Sequence, residues 1–224
     1  MSTPSSKAEA STPYHHGDLR RSLLDGANAI LAETGRWDFS LREVARRAGV
    51  SHNAPYRHFA DKEELLAAIG VVGYQALHER TSIAAQGACG AVDKLAATGR
   101  AYIQFGIDNP ALYRLMFGQA LPSSDSLPLA LQQAVAVARK DLRDVVETGA
   151  RDGAFNLDPD DAAEVTVATV AAWSFVHGFT LLTIDQVVRR DTEDEMVNDL
   201  AARVVTLFVA GLQSNLSASR SNAA

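Results

Sequence analysis

Four polar side chains within seven residues, His52, Asn53, Tyr56 and His58, can donate hydrogen bonds to base edges or to phosphates. Three arginines precede them at helical spacing, and arginine is the commonest bidentate partner of guanine. A helix that serves only packing would show fewer such groups. The pattern therefore favours a DNA-reading surface over the alternative of an ordinary helical corner. The arginines are Arg42, Arg46 and Arg47.

The segment that must position these side chains is predicted to be a helix-turn-helix. Ser40 and Glu43 have the S-x-x-E spacing of a capping box, which begins a short helix. Residues 48–50 read Ala-Gly-Val, where the glycine can adopt a left-handed turn. Ser51 is then the predicted N-cap of a third helix over about residues 52–58, and Asp61 and Glu64 have the matching D-x-x-E spacing that begins a fourth. This arrangement sets one helix into the major groove of DNA.

Apolar residues recur at helical spacing along nearly the whole chain, and no stretch shows the sustained alternation of a strand. Glycines and prolines mark the breaks between helices. We therefore predict an all-α chain. The predicted helices are 18–34, a short helix from residue 40, 52–58, 61 to about 82, 91–108, 110–118, 127–152, 159–186 and 193–213.

Composition limits the class of protein. The chain has 224 residues, of which 47% are hydrophobic, so it can bury a substantial core. Its single cysteine, Cys89, can form neither an internal disulfide nor a four-thiolate zinc site, which indicates a reducing compartment, the cytoplasm. Residues 1–13 lack the apolar core of a signal peptide.

Residues 1–70 hold nine Lys/Arg and nine Asp/Glu, so the net charge of −6 resides in the remaining chain. The first part is therefore the less repulsive one for a polyanion.

The region from about Asp18 to Ala76 resembles the amino-terminal domain of the tetracycline-repressor (TetR) family. The resemblance implies an N-terminal three-helix DNA-binding domain, followed by a helical-bundle ligand-binding and dimerisation domain. The motifs that carry it are Leu41-Arg42-Glu43-Val44-Ala45, Ala48-Gly49-Val50-Ser51, Tyr56-Arg57-His58-Phe59 and Lys62-Glu63-Glu64-Leu65-Leu66.

Residue by residue, the resemblance implies contacts between this domain and double-stranded DNA. Arg42, His52 and Asn53 become candidate base readers, and Ser51 joins the candidate contacts. Pro55 makes the assignment of His52 and Asn53 less firm, because a proline near the helix start removes a backbone hydrogen bond. The candidate phosphate contacts are Ser40, Tyr56, His58 and Lys62.

The last two long helices each carry apolar residues at alternating +3 and +4 spacing, which is typical of helices packed nearly parallel to a partner. These two rows of apolar residues could pack on each other within one subunit. The first of these helices is also apolar on a second side, which favours a homodimer, and TetR-like proteins typically dimerise through these helices on a pseudo-palindromic operator. The candidate interface residues are Val165, Ala168, Ala172, Phe175, Phe179, Leu182, Val197, Leu200, Val204 and Leu207.

Trp173, His177 and Gly178 form the triplet W-x-x-x-H-G, which resembles a subgroup of TetR-like ligand domains. A buried histidine is more often an ordinary core residue, and aromatic residues at helical spacing are often plain core. The alternative hypothesis is a pocket for a hydrophobic or aromatic effector. Its candidate lining is Tyr102, Phe105, Tyr113, Met116, Phe117, Trp173 and His177.

The predicted organisation is a disordered arm (1–16), a DNA-binding domain (17–76), a ligand-binding and dimerisation domain (77–213) and a polar tail (214–224). The charge-free run 165–184 is long enough to span a bilayer, but its polar residues and acidic flank argue against a membrane helix. No motif for an enzyme, metal or cofactor appears. We therefore predict a ligand-released repressor, with a constitutive dimeric DNA-binding protein as the alternative.

Overall fold

The structure, a computed structural model, describes residues 16–118, 120–121, 127–188 and 194–214. Within these ranges the chain is entirely helical, as predicted. The first two helices form a head, and the later helices form a body. The predicted arm and tail lie almost wholly outside the described residues. The helices are α1 (His16–Thr34), α2 (Leu41–Arg47), α3 (Lys62–Gln86), α4 (Gly90–Asp108), α5 (Pro110–Phe117), α6 (Leu129–Arg151), α7 (Ala162–Ile184) and α8 (Asp194–Gln213).

Side-chain caps begin the helices of the head where the sequence predicts them. Ser40 Oγ accepts a hydrogen bond from the backbone N–H of Glu43 at 3.2 Å, so α2 begins at Leu41. Asp61 Oδ1 accepts from the N–H of Glu64 at 2.9 Å and begins α3. Gly49 has a φ of +69°, the left-handed conformation that the turn after α2 requires. The predicted starts of α2 and α3 and the glycine turn are confirmed.

The predicted third helix over residues 52–58 is wrong in its length and type. The chain instead forms one 3₁₀ turn, Pro55–Arg57, after a turn at His52 and Asn53. Pro55 has no N–H to donate, and the carbonyl of Ser51 accepts from Ala54 N–H at 2.9 Å. A proline at this position therefore replaces the regular helix with a tighter turn.

Helices α3 and α5 connect the head to the body. α3 is continuous for 25 residues, so the predicted domain boundary at residue 76 falls inside it. Ala111 and Leu115 of α5 are buried in the same apolar cluster as residues of α1 and α2. Tyr113 and Met116 of α5 belong instead to the cluster of the body. One short helix thus contacts both parts.

Within the body, α4 packs against α3, α5, α6, α7 and α8. Gly106 lets α4 approach α7 closely, because a Cβ atom there would lie 2.2 Å from Cγ2 of Thr180. α7 is long and apolar enough to cross a membrane by length and composition, a test that core helices also pass. In the structure it packs against α4, α6 and α8.

Candidate DNA-binding surface and ligand cavity

The head presents most of the predicted DNA contacts on its surface. The side chains of Ser40, Arg42, Ser51, His52, Asn53 and Tyr56 are exposed. Arg57, which the sequence argument did not select, is also exposed on the 3₁₀ turn, and its position beside Tyr56 was the signal available for it. The surface therefore combines hydroxyl, amide, imidazole and guanidinium donors, the groups that contact phosphates and base edges.

Ion pairs change the electrostatic character of the head. Arg47 binds Glu33 through two nitrogens and lowers the pKa of that carboxyl group by hydrogen bonding. Arg36 lowers the pKa of Asp38 in the same way. Arg42 and Arg46 form no ion pair with any described residue. Although charges balance over residues 1–70, these two exposed arginines of α2 therefore remain available to a polyanion.

Two predicted phosphate contacts are less accessible than the others. His58 is half-buried, and its Nε2 is buried without a hydrogen-bond partner among the described residues. Reaching a phosphate through Nε2 would require the ring to rotate. The Nζ atom of Lys62 lies 5.8 Å from the centroid of the Phe39 ring at the start of α3. This lysine is also half-buried, but it lies beside the helix N-terminus, where a phosphate is electrostatically favoured.

The body contains a cavity of about 780 Å³, within the size range of small-molecule sites. Its wall is formed by residues of α3, α4, α6, α7 and α8, together with Phe117 at the end of α5. Three of the predicted residues line it, namely Tyr102, Phe117 and Trp173. The sequence argument missed Thr98 and Arg139, and it placed Phe175 at the dimer interface although it lines the cavity and stacks on Phe208 at 5.1 Å between ring centroids.

The other four predicted pocket residues lie behind this wall. Phe105, Tyr113 and Met116 are buried in the apolar cluster of the body that also contains Tyr74 and Tyr102. Tyr113 is fully buried, and its ring centroid lies 4.6 Å from that of Phe117. His177 is half-buried, and its ring contacts those of Tyr113 and Phe117. These residues support the cavity wall rather than forming its surface.

A hydrogen-bond network links the cavity wall to His177. Trp173 Nε1 donates to the hydroxyl of Tyr102 at 3.2 Å. The Tyr113 hydroxyl lies 3.0 Å from the Tyr102 hydroxyl and 2.6 Å from Nδ1 of His177. The Tyr102 hydroxyl, which accepts a hydrogen bond from that of Tyr113, also lies 3.2 Å from Nδ1 of His177, so the indole, the two phenols and the imidazole form one connected network.

Burial stabilises the neutral forms that this network requires. It lowers the pKa of His177 below its usual value, so Nδ1 can accept a hydrogen bond. Burial also raises the pKa of Tyr102 and of Tyr113 well above the usual tyrosine value, so both remain donors. The structure therefore gives the tryptophan and histidine of W-x-x-x-H-G one shared network.

The predicted dimer seam lies partly inside the protomer. Four of its residues are buried within the protomer, namely Val165, Ala168, Ala172 and Val197, and the first two belong to the apolar core of the body. Leu182 and Leu207 are exposed, at 47% and 72%. A different face of α7 exposes Val167 and Val170, at 69% and 51%. Because α7 is apolar on every side, periodicity alone did not distinguish its covered face from its exposed face.

Two family models match the chain. The model described as "Bacterial regulatory proteins, tetR family" matches residues 23–69, which include α2 and the 3₁₀ turn. The model described as "Tetracyclin repressor-like, C-terminal domain" matches residues 95–208, which is just over half of the chain. The chain belongs to the TetR family.

Solved structures share this TetR fold over most of their length. A protein with unknown function from Rhodococcus sp. RHA1 is 27% identical, with a TM-score of 0.77, and the match covers 91% of this chain and 100% of that one. The fatty acid degradation regulator FadR from Bacillus halodurans is 18% identical, with a TM-score of 0.69 and coverage of 90% and 100%. FadR from Bacillus subtilis, solved in complex with stearoyl-CoA, is 18% identical, with a TM-score of 0.67 and coverage of 85% and 98%.

Membership of the TetR family makes this chain a DNA-binding transcriptional regulator. The family model describes regulatory proteins, and two of the similar structures are regulators by description. The predictions of an all-α fold and of TetR membership are confirmed. The subgroup defined by W-x-x-x-H-G stays a prediction.

Proposed function

We propose that this protein is a homodimeric cytoplasmic repressor that binds a pseudo-palindromic operator and releases it when an effector enters the cavity. The observation that carries the proposal is the continuity of α3 between the two sites. Its N-terminus lies at the head, with Asp61 as the cap. Its later turns place Tyr74, Leu77 and Thr81 on the cavity wall. A movement of α3 at the cavity would therefore be transmitted to the head.

Exposed apolar surface on α7 and α8 supports the homodimer. Val167 and Val170 on α7, and Leu207 on α8, leave large apolar side chains in solvent, and adjacent exposed apolar groups mark interaction sites. Gly178 and Gly211 have no atom within 4 Å of a Cβ position, which leaves room for close approach of a partner helix. A two-fold dimer would present two heads to two half-sites, so their binding free energies would combine.

Ligand release requires that the effector bind the DNA-free conformation more tightly than the DNA-bound one, because a ligand with equal affinity for both shifts neither. α5 gives a second route for this coupling. Tyr113 and Met116 pack behind the cavity wall, whereas Ala111 and Leu115 pack in the core of the head. Filling the cavity would then alter the separation of the two heads through α3 and α5 together.

The alternative function is a constitutive dimeric DNA-binding protein with no effector. A body filled by its own aromatic residues would favour that alternative. The cavity of about 780 Å³ beside Phe117 and Trp173 favours the ligand-released regulator instead. FadR from Bacillus subtilis, which has a similar fold, is a regulator with an acyl-CoA ligand.

The test is fluorescence anisotropy of the purified protein on the intergenic DNA that flanks its own gene, with a scrambled duplex at the same salt concentration as control. We expect preferential binding to the intergenic DNA, with a stoichiometry of two protomers per site. If a genome-wide selection of bound fragments also yields no preferred sequence, the assignment as a specific regulator is wrong.

Arg42→Ala is expected to weaken binding to the operator by about 1–3 kcal/mol and to leave binding to random DNA nearly unchanged, because a bidentate base contact carries specificity. Anisotropy titrations on both duplexes measure the difference. Arg21→Ala is a suitable control, since Arg21 is an exposed arginine of α1 that faces Asp25. An equal loss on both duplexes would make Arg42 a phosphate contact.

A further inference from the structure

One cation at the cavity wall has no anionic partner. Four charged side chains of α6 line the cavity, and three of them have a polar partner nearby. The fourth, Arg139, forms no salt bridge within the part of the chain that the structure describes. The partnered side chains are Lys140 with Asp144, Asp141 with His78, and Arg143 with Glu147.

Arg139 is held over an aromatic platform. Its guanidinium carbon lies 5.6 Å from the centroid of the Trp173 ring. The Arg139 side chain is exposed, and its contact with the face of the ring uses none of its N–H groups as hydrogen-bond donors. The Trp173 ring is itself held by its hydrogen bond to Tyr102. The N–H groups of the Arg139 guanidinium are therefore positioned at the cavity wall as hydrogen-bond donors.

A second observation places Arg139 at the cavity's polar edge. Burial raises the pKa of Tyr74, another lining residue, to about 12, and the positive charge of Arg139 opposes that rise. The rest of the wall is predominantly aliphatic and aromatic, with Leu77, Leu95, Phe117, Val135 and Phe175 among its residues. The charged side chains of the cavity wall are thus concentrated on α6, whereas the other helices contribute mainly apolar side chains.

The cavity wall also holds an unsatisfied hydroxyl. Thr98 lines the cavity, is 9% exposed, and its Oγ1 has no hydrogen-bond partner among the described residues. A buried hydroxyl without a partner costs free energy. Such a group is consistent with a site built to hold a ligand, since a bound molecule could supply the missing partner.

We propose that the effector is an amphiphilic anion, whose hydrocarbon body fills the cavity and whose carboxylate or phosphate binds the guanidinium of Arg139. The inference rests on the proposed function, in which the cavity holds the effector. A neutral apolar ligand that covered Trp173 would remove water from the guanidinium without replacing its hydrogen bonds. An oxyanion replaces them with charge-assisted ones.

Three probes with the same fourteen-carbon tail test this inference on the full chain: tetradecanoate, tetradecyl phosphate and 1-tetradecanol, each below the concentration at which micelles form. Isothermal titration is expected to give Kd values for at least one anion about 10- to 100-fold lower than for the alcohol, the range of one charge-assisted contact. The tighter of the two anions identifies the headgroup.

Arg139→Ala is expected to remove this preference by weakening anion binding about 10- to 100-fold, with little effect on the alcohol. Arg139→Lys should fall between, because it keeps the charge and loses the planar fork. Arg151→Ala is the matched control, since Arg151 lies on the same helix, pairs with Glu147 and does not line the cavity.

Equal affinity for the alcohol, an anion preference that survives Arg139→Ala, or no binding of any probe would overturn the inference. Anisotropy on the operator, measured with the same protein samples, separates this failure from failure of the proposed function. Operator binding without an anion preference rejects only the amphiphilic anion. Loss of sequence-specific binding rejects the regulator itself.

Discussion

A Leu207→Glu variant is expected to be monomeric and to bind a two-half-site operator about 100-fold or more weakly than the wild type. Leu207 on α8 is 72% exposed in the protomer, so the substitution removes no internal packing. In the proposed dimer it places one carboxylate from each copy in an apolar interface, where burial of an unpaired charge is costly. Light scattering after size exclusion measures the mass, and anisotropy measures the affinity.

Leu129→Glu is the matched control for this variant. Leu129 is also a leucine, is 68% exposed and lies in the first turn of α6, where a carboxylate is favourable. We expect this control to remain dimeric with unchanged operator affinity. A dimeric Leu207→Glu protein with wild-type affinity would show that the interface lies elsewhere.

Tyr113→Ala is expected to lower the free energy of unfolding by about 3–5 kcal/mol, the range for removal of a buried aromatic ring. The Tyr113 side chain is fully buried and packs against the rings of Tyr102, Phe117 and His177. The substitution leaves a void between α4, α5 and α7. Urea unfolding at a fixed protomer concentration measures the loss.

Tyr113→Phe separates the hydrogen bonds from the packing. It keeps the ring but removes the hydroxyl that donates to Tyr102 and lies 2.6 Å from Nδ1 of His177, so we expect a loss of about 1–3 kcal/mol. Tyr74→Phe is the control, because the hydroxyl of Tyr74 makes a single hydrogen bond, to the carbonyl of Met116 at 3.3 Å. A loss for Tyr113→Phe no larger than that for Tyr74→Phe would contradict the network.

Local chemistry in the sequence predicted the elements of the fold. Ser40 and Asp61 cap α2 and α3 as their spacing indicates, because a side-chain cap depends only on residues three positions apart. Gly49 adopts the predicted left-handed turn for the same local reason. Helices α4 and α5 begin or end within one residue of the prediction, where prolines and glycines mark the breaks.

The family could also be predicted, because its motifs lie in one continuous segment. The third helix was wrongly predicted to be a regular helix over residues 52–58. Pro55 was recognised as a disturbance, but the replacement of the helix by a single 3₁₀ turn depended on the carbonyl of Ser51 pairing with Ala54. The sequence showed which polar residues the predicted DNA-binding surface carries. It did not show that Nε2 of His58 is buried, because that depends on how the helices of the head pack.

The site in the body depended on the tertiary structure. The sequence by itself determined that α7 is apolar on two sides, and it offered aromatic residues of α4 and α5 as candidate pocket residues. It did not determine which apolar face is covered, so Val165 and Ala168 were assigned to a partner subunit although they are buried in the protomer's own core. It also did not reveal that Arg139 lies over Trp173, 34 residues away. Periodicity shows which side chains share a face, but only the packing of distant helices decides what covers that face and where a cavity remains.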